Sequence, residues 1–227
     1  MEVFVSWSGG KDCCLACYRA IKKGYEVKYL ASMITKRFGR LYPHHFTPEI
    51  LNMQAEAIGV PLIQQWTTIP EYNQRYIKML KKFKKEGISG GVFGDVSIGN
   101  KDAKEHKQWI ESVCQPVGIE VYLPLWDEER ESLLLDLIGS GFEAVIIAAD
   151  KDRLGRKWLG KKLDRNLLDE LKERHQNSDD GEVGYYHTLV VDGPIFKKRI
   201  EINDTDIVFK EPFWYLDIIR CTLKEKD

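Results

Sequence analysis

Ser6-Trp7-Ser8-Gly9-Gly10-Lys11-Asp12-Cys13 stands between a short apolar run, Val3-Phe4-Val5, and a segment that carries Leu15, Tyr18 and Ile21 at helical spacing before Gly24. The order reads strand, tight turn, helix. Two adjacent glycines let backbone amides converge on an anion with no Cβ in the way, and the start of the helix adds its free amides and the positive end of its dipole. Ser8 brings a hydroxyl and Lys11 a charge, so the stretch is built as a phosphate cradle. Its spacing is neither the Walker A nor the GxGxxG dinucleotide pattern, which removes the main support for a GTPase or a dehydrogenase.

Outward from this loop the alternation repeats. Residues 27–34 read as a strand, 48–58 as a helix, 61–66 as a strand and 72–85 as a helix whose buried stripe is Tyr76, Ile77, Leu80 and Phe83. A strand over 91–96, a helix over 104–114 and a strand over 119–125 follow. Strands alternating with helices predict an open, parallel α/β sheet with helices on both faces. After Trp126 the grammar changes. A helix over 128–138 and a strand over 142–149 lead to a helix using Leu163, Leu167, Leu168 and Leu171. Strands over 188–191, 196–202 and 214–219 come next, with turns at Asp192-Gly193-Pro194 and Asn203-Asp204. The expected organisation is a nucleotide-binding domain, residues 1–126, and a smaller mixed α/β domain, residues 127–227, that binds the substrate.

Composition bounds the function. With 227 residues and 43% apolar content the chain has enough material for a substantial core. Its 34 Lys and Arg against 35 Asp and Glu leave a net charge of -1, so no global field draws it to nucleic acid or anionic lipid. No apolar run approaches the roughly 18 residues that cross a bilayer, and Met1-Glu2-Val3 does not begin a signal peptide. The expectation is a cytoplasmic protein with no membrane partner and no stable nucleic-acid binding; a homodimer stays open. The five cysteines are odd in number, and Cys13, Cys14 and Cys17 crowd one segment, which argues against a disulfide framework. Cys14 and Cys17 form a CxxC, but both fall in the first helix with no second pair at ligand spacing, so they read as small buried residues.

The string Ser8-Gly9-Gly10-Lys11-Asp12-Cys13 resembles the SGGxDS loop of the N-type ATP pyrophosphatase (PP-loop) superfamily, with Cys13 where that pattern has Ser or Thr. The resemblance implies a HUP-type sheet, ATP as cofactor with Mg²⁺, and a loop that grips the pyrophosphate leaving when ATP adenylates a substrate. A narrower resemblance covers nearly the whole chain. Gln54-Ala55-Glu56-Ala57-Ile58-Gly59, Gly94-Asp95, His106 with Trp109, Glu111 and Cys114, Trp158-Leu159-Gly160, Gly181-Glu182-Val183-Gly184, His187-Thr188 and Asp192-Gly193-Pro194 are similar in order and spacing to the diphthine–ammonia ligase family, archaeal type. That family amidates the carboxylate of diphthine, a modified histidine of elongation factor 2, using ATP and ammonium and releasing AMP and pyrophosphate. Tyr185 departs from the pattern, which often has an acidic residue after the second glycine.

On this reading Ser6, Ser8, Gly9, Gly10, Lys11, Asp12 and Cys13 bind ATP, with Met33 at the end of the second strand flanking adenine or packing in the core. Asp12 and Asp95 are the candidate Mg²⁺ ligands, Asp95 because it follows a parallel strand at the edge where open α/β sheets bind ligands; a turn or capping role is the alternative. His44, His45, Gly94, His106 and Thr188 are candidate substrate contacts. Only neutral ammonia attacks a carbonyl, so a base is needed, and Glu182 and His187 are its candidates beside Lys11, Asp12 and Asp95 as catalytic groups. The basic residues of 151–165 read as a docking patch or as a solvated face. Two other classes remain: a tRNA-modifying enzyme that adenylates a base, and a non-catalytic ATP sensor on the same fold.

Overall fold

The computed structural model describes residues 1–36, 46–98, 100, 102–175 and 185–226. Five strands, β1 (Glu2–Ser6), β2 (Glu26–Thr35), β3 (Leu62–Thr67), β4 (Gly90–Val92) and β5 (Glu120–Tyr122), form one parallel sheet in the order β3-β2-β1-β4-β5. The helices α1 (Lys11–Lys22), α2 (Pro48–Ile58), α3 (Tyr72–Lys85) and α4 (Ala103–Cys114) make the crossovers. Alternation along β1 divides the core between the two faces. Val3 and Val5 face a cluster with Leu15, Leu51 and Ile58, whereas Phe4 faces Leu80, Phe83 and Ile110 on the other side. The chain winds from β1 to one side and returns to the other at β4. The ends of β1 and β4 are therefore the switch point, where an open α/β sheet leaves a crevice for ligands.

The C-terminal part has its own grammar. Helices α5 (Arg130–Gly139) and α6 (Arg165–His175) accompany β6 (Glu143–Asp150), β7 (Tyr186–Asp192), β8 (Lys198–Lys210) and β9 (Phe213–Glu225). These strands form an antiparallel sheet in the order β7-β6-β9-β8. Its inner residues Leu134, Ile146, Leu168 and Val190 belong to the same buried cluster as Val3, Val5 and Leu15, so one core runs through both parts. Arg19 of α1 ties them further: Nη1 donates to the Pro124 carbonyl at 2.9 Å, and the guanidinium pairs with Glu128 and, at 2.6 Å, with Asp136 on α5.

Three expectations are corrected. β4 ends at Val92 and β5 at Tyr122, short of the predicted 96 and 125; after Val92 the backbone of β4 leaves the sheet to pass against the start of α1. Asn203-Asp204 is no turn. β8 runs through it with a bulge and reverses only at Glu211-Pro212, since one extra residue in a twisted hairpin accommodates turn-prone side chains without ending the strand. Ile77, expected on the buried stripe of α3, is only partly buried. Among the described residues no helix is long and apolar enough to cross a membrane.

Candidate functional site

The loop of residues 6–11 is held by three elements, β2, α2 and β7. The Trp7 amide donates to the Ala31 carbonyl at 2.8 Å, and Ser32 Oγ donates to the Trp7 carbonyl at 2.6 Å, which fixes the end of β1 to β2. Gln54 of α2 is fully buried. Its Nε2 donates to the carbonyls of Gly9 (2.9 Å) and Val190 (2.8 Å), and its Oε1 accepts from Trp7 Nε1 at 3.1 Å. The Val190 amide donates to the same Gly9 carbonyl at 3.0 Å, so the loop continues the open edge of β7. Gly9 sits at φ +78°, and a Cβ there would lie 2.4 Å from Gln54 Oε1; both conformation and space require glycine.

Helix α1 has Gly10 as its N-cap and no side-chain cap of its own. Thr188 of β7 supplies one from 177 residues away, its Oγ1 accepting the Lys11 amide at 3.0 Å. The amides of Asp12 and Cys13 remain at the helix start without intrahelical acceptors, the groups that serve an anion. Lys11 Nζ stands beside them, 2.9 Å from Asp12 Oδ2 and 5.1 Å from the Tyr186 ring centroid, only 13% exposed. Tyr186, Thr188 and Val190 alternate along one strand, which is why all three reach the loop. Cys13 Sγ accepts from Ser8 Oγ at 3.4 Å and donates to the Gly10 carbonyl at 3.2 Å, so the thiol braces the turn. Burial alone would raise the Cys13 pKa, but hydrogen bonds from Cys14, Ser8 and the Ser8 and Gly9 backbone outweigh it and lower the value.

A second polar group lies across the switch point. Gly94 passes so close to α1 that a Cβ would be 2.8 Å from Asp12 C and Cys13 N, and this contact carries Asp95 to the same edge. Asp95 Oδ1 meets His106 Nδ1 of α4 at 2.5 Å. The hydrogen bond to Asp95 raises the His106 pKa above its ordinary value, against the opposing effect of burial. His106 stacks on Trp109, whose Nε1 donates to Asn73 Oδ1 at 2.8 Å, so Trp109 serves as packing and support.

The structure thus brings together Ser8, Gly9, Gly10, Lys11, Asp12, Cys13 and Thr188, and separately Asp95 and His106. Met33 is buried in the cluster with Phe4 and Leu80. His187 projects from the face of β7 opposite Thr188 and packs 5.6 Å from Phe213. His44, His45 and Glu182 lie outside the described residues. Among the described residues no three His, Cys, Asp or Glu side chains converge on a metal position. Cys14 and Cys17 are buried small residues, and burial pushes both thiols up. Much of the basic run 151–165 is paired: Lys151 with Glu211, Lys161 with Glu170 and Lys162 with Glu143, while Arg153 Nη1 donates to Tyr185 Oη at 2.5 Å. The departure at Tyr185 therefore meets a cation. Gln54 and the capping role of Thr188 were missed as loop supports; the available signal was a polar residue at a helical position shared with Ile50, Leu51 and Ile58.

Comparison with known proteins bears on the whole chain. The family model described as the diphthamide synthase N-terminal domain matches residues 1–121, and the diphthamide synthase C-terminal domain matches 129–224. Proteins named diphthine–ammonia ligase are similar: one from Schizosaccharomyces pombe is 28% identical over 92% of this chain, which spans 37% of that longer relative. Those from Bos taurus and Homo sapiens are each 26% identical, with all of this chain covering 94% of theirs. Among solved structures, a predicted subunit of tRNA methyltransferase from Methanocaldococcus jannaschii gives a TM-score of 0.43 at 20% identity, over 84% of this chain and 97% of that one. A 4-thiouridine synthetase in complex with RNA and ATP gives 0.44 at 14%, over 76% and 50%. With the two domain models laid end to end along it, the chain belongs to the diphthamide synthase family.

Proposed function

We propose that the protein amidates the carboxylate of diphthine on elongation factor 2 with ATP and ammonium, through a carboxyl-adenylate, releasing AMP and pyrophosphate. The observation that carries this reading is the loop Gly9-Gly10-Lys11 at the head of α1, completed by β7, in a chain that both diphthamide synthase models match. A carboxylate resists amidation because its charge repels nucleophiles and oxide is a poor leaving group; transfer to AMP cures both.

In the first step a carboxylate oxygen attacks the α-phosphorus and pyrophosphate departs. The Asp12 and Cys13 amides and the Lys11 ammonium stabilise the charge that grows on the leaving group, and because the loop that carries them is already held by Gln54, Val190 and Thr188, little reorganisation accompanies it. In the second step ammonia adds to the acyl carbonyl and AMP leaves; Glu182 is the candidate base that takes the proton from ammonium, since His187 faces away from the loop beside Phe213. The carboxylates at the switch point suit Mg²⁺ carried in by the nucleotide, because that ion keeps phosphates and waters as most of its ligands and takes one or two carboxylates. Asp12 and Asp95 would hold it, and it would supply charge neutralisation of the phosphates.

The test is incubation of the protein with ATP, Mg²⁺, ammonium and elongation factor 2 carrying diphthine, with AMP and the mass of the factor followed together. AMP in step with a carboxylate-to-amide mass change is the expected result. ATP binding with no AMP and an unchanged factor would contradict the reading and favour a sensor, and AMP that depends on tRNA would favour a tRNA-modifying enzyme.

A further inference from the structure

β8 is the last strand of the C-terminal sheet, and among the described residues its one strand neighbour is β9, so its far edge is open. Val208 aside, every residue from Asn203 to Lys210 is exposed. The stretch carries two large apolar side chains, Ile207 at 46% exposure and Phe209 at 42%. They share a face with Leu216 and Trp214, which stand directly opposite them on β9, and the Phe209 and Trp214 rings lie 4.8 Å apart. The Ile207 amide is spent on the carboxylate of its own neighbour, Asp206, at 2.8 Å, the bond of an N–H on the open side. By alternation the Phe209 amide and carbonyl face the same way. An exposed apolar edge with outward backbone groups is a template for a further strand, and charge decides which strand joins it.

The charges on β8 match β8 itself. In an antiparallel pairing with a second copy about a two-fold axis at Val208, Ile207 meets Phe209 of the second copy and Asp206 meets Lys210 of the second copy, each contact made twice. On one face a row Trp214–Phe209–Ile207–Leu216 then crosses four strands, two from each copy, without a polar break. On the other face Asp206 already stands opposite Asp217 of its own hairpin, an unfavourable like-charge pair that an incoming ammonium offsets. Neighbouring axes lose this match. An axis at Asp206 opposes two Asp206 carboxylates, one at Ile207 sets Phe209 against Thr205, and one at Phe209 sets Ile207 against Glu211. We propose that the open edge of β8 is a homodimer interface, joining two four-stranded sheets into one continuous sheet with Val208 on the two-fold axis. On pairing, the Ile207 amide passes from Asp206 to the Phe209 carbonyl of the second copy, and the freed carboxylate turns to the lysine.

The experiment is sedimentation of the full chain at about 1–100 µM, for wild type and charge-exchanged variants. Wild type should be dimeric at the upper end of that range. Asp206→Lys and Lys210→Asp each place like charges at both ends of the two-fold and should weaken the dimer at least about tenfold. The double variant Asp206→Lys with Lys210→Asp restores opposite charges and should return to within about threefold of wild type. The two single variants, mixed, should pair with each other, because each carries the charge that the other lacks. A monomer at every concentration would overturn the proposal. So would a dimer that neither single change weakens, or a double variant as weak as the singles. If a single variant fails to fold by its melting curve, Ile207→Lys replaces it and should also weaken the dimer. A monomeric wild type whose Asp206→Lys form shows a raised KM for elongation factor 2 carrying diphthine would overturn it too, by giving the edge to the target protein. Sedimentation needs no catalysis, so failure of the amidation reading and failure of this interface are separate results.

Discussion

Two polar groups sit at the same edge of the parallel sheet and are built in opposite ways. The loop around Gly9 is assembled from β1, α2, α1 and β7, and Gln54 at its centre has no exposed surface. The Asp95–His106 pair is half open to water and rests on one hydrogen bond and a stacked Trp109. A buried network with every partner in place holds a backbone in one geometry, which suits amides that must meet charge as it develops. An exposed pair is soft and titratable, suited to groups that adjust to a nucleotide or a proton. The C-terminal sheet joins the first group through Thr188 and Val190, so the Gly9 loop is not the property of the N-terminal half alone.

That contrast can be broken most severely at Lys11. Lys11→Ala should lower AMP formation by at least about 100-fold while the fold melts near the wild-type temperature, because a cation aimed at the leaving group contributes mainly in the transition state. Steady-state AMP release checks it. Gln54→Leu removes three hydrogen bonds and leaves the Trp7 indole N–H without its acceptor. The Gly9 carbonyl keeps the Val190 amide as its donor, so the change should cost about 1–3 kcal/mol in urea unfolding and slow AMP formation, whereas Gln54→Glu, which keeps an acceptor for Trp7, should not restore the two Nε2 bonds. Gly94→Ala forces a methyl against the α1 backbone and should cost about 1–3 kcal/mol, read by the same unfolding curves.

The smallest effect belongs to the exposed pair. Asp95→Asn should return the His106 titration toward its ordinary value, as followed by ring proton NMR. The sign is set by the raised His106 value: the pair stabilises the fold fully below the unfolded histidine pKa and loses that contribution as pH rises through the folded one. The stability difference between wild type and Asp95→Asn, under about 1 kcal/mol for an exposed pair, should therefore be present at about pH 6 and gone at about pH 9. A pair as rigid as the Gly9 network would instead show a large loss that pH does not erase.

The same contrast explains what the sequence could and could not disclose. Local features were legible. Gly9-Gly10-Lys11 between an apolar run and an amphipathic helix is written in contiguous residues, as are α2 and α3 with their stripes. Short β4 and β5 and the bulge in β8 were not, because strand length there is set by what the backbone packs against. Gln54 and Thr188 act across 45 and 177 residues, and a polar side chain in an apolar stripe announces burial without naming its partner.

The central claim, that a carboxylate is activated by adenylation at this loop, is tested most directly by isotope transfer. Elongation factor 2 whose diphthine carboxylate is enriched in ¹⁸O is incubated with the protein, ATP, Mg²⁺ and ammonium, and the AMP is analysed by mass spectrometry. The account predicts one ¹⁸O in the AMP phosphate for each amide formed. Unlabelled AMP alongside amide, or ADP in its place, would contradict it.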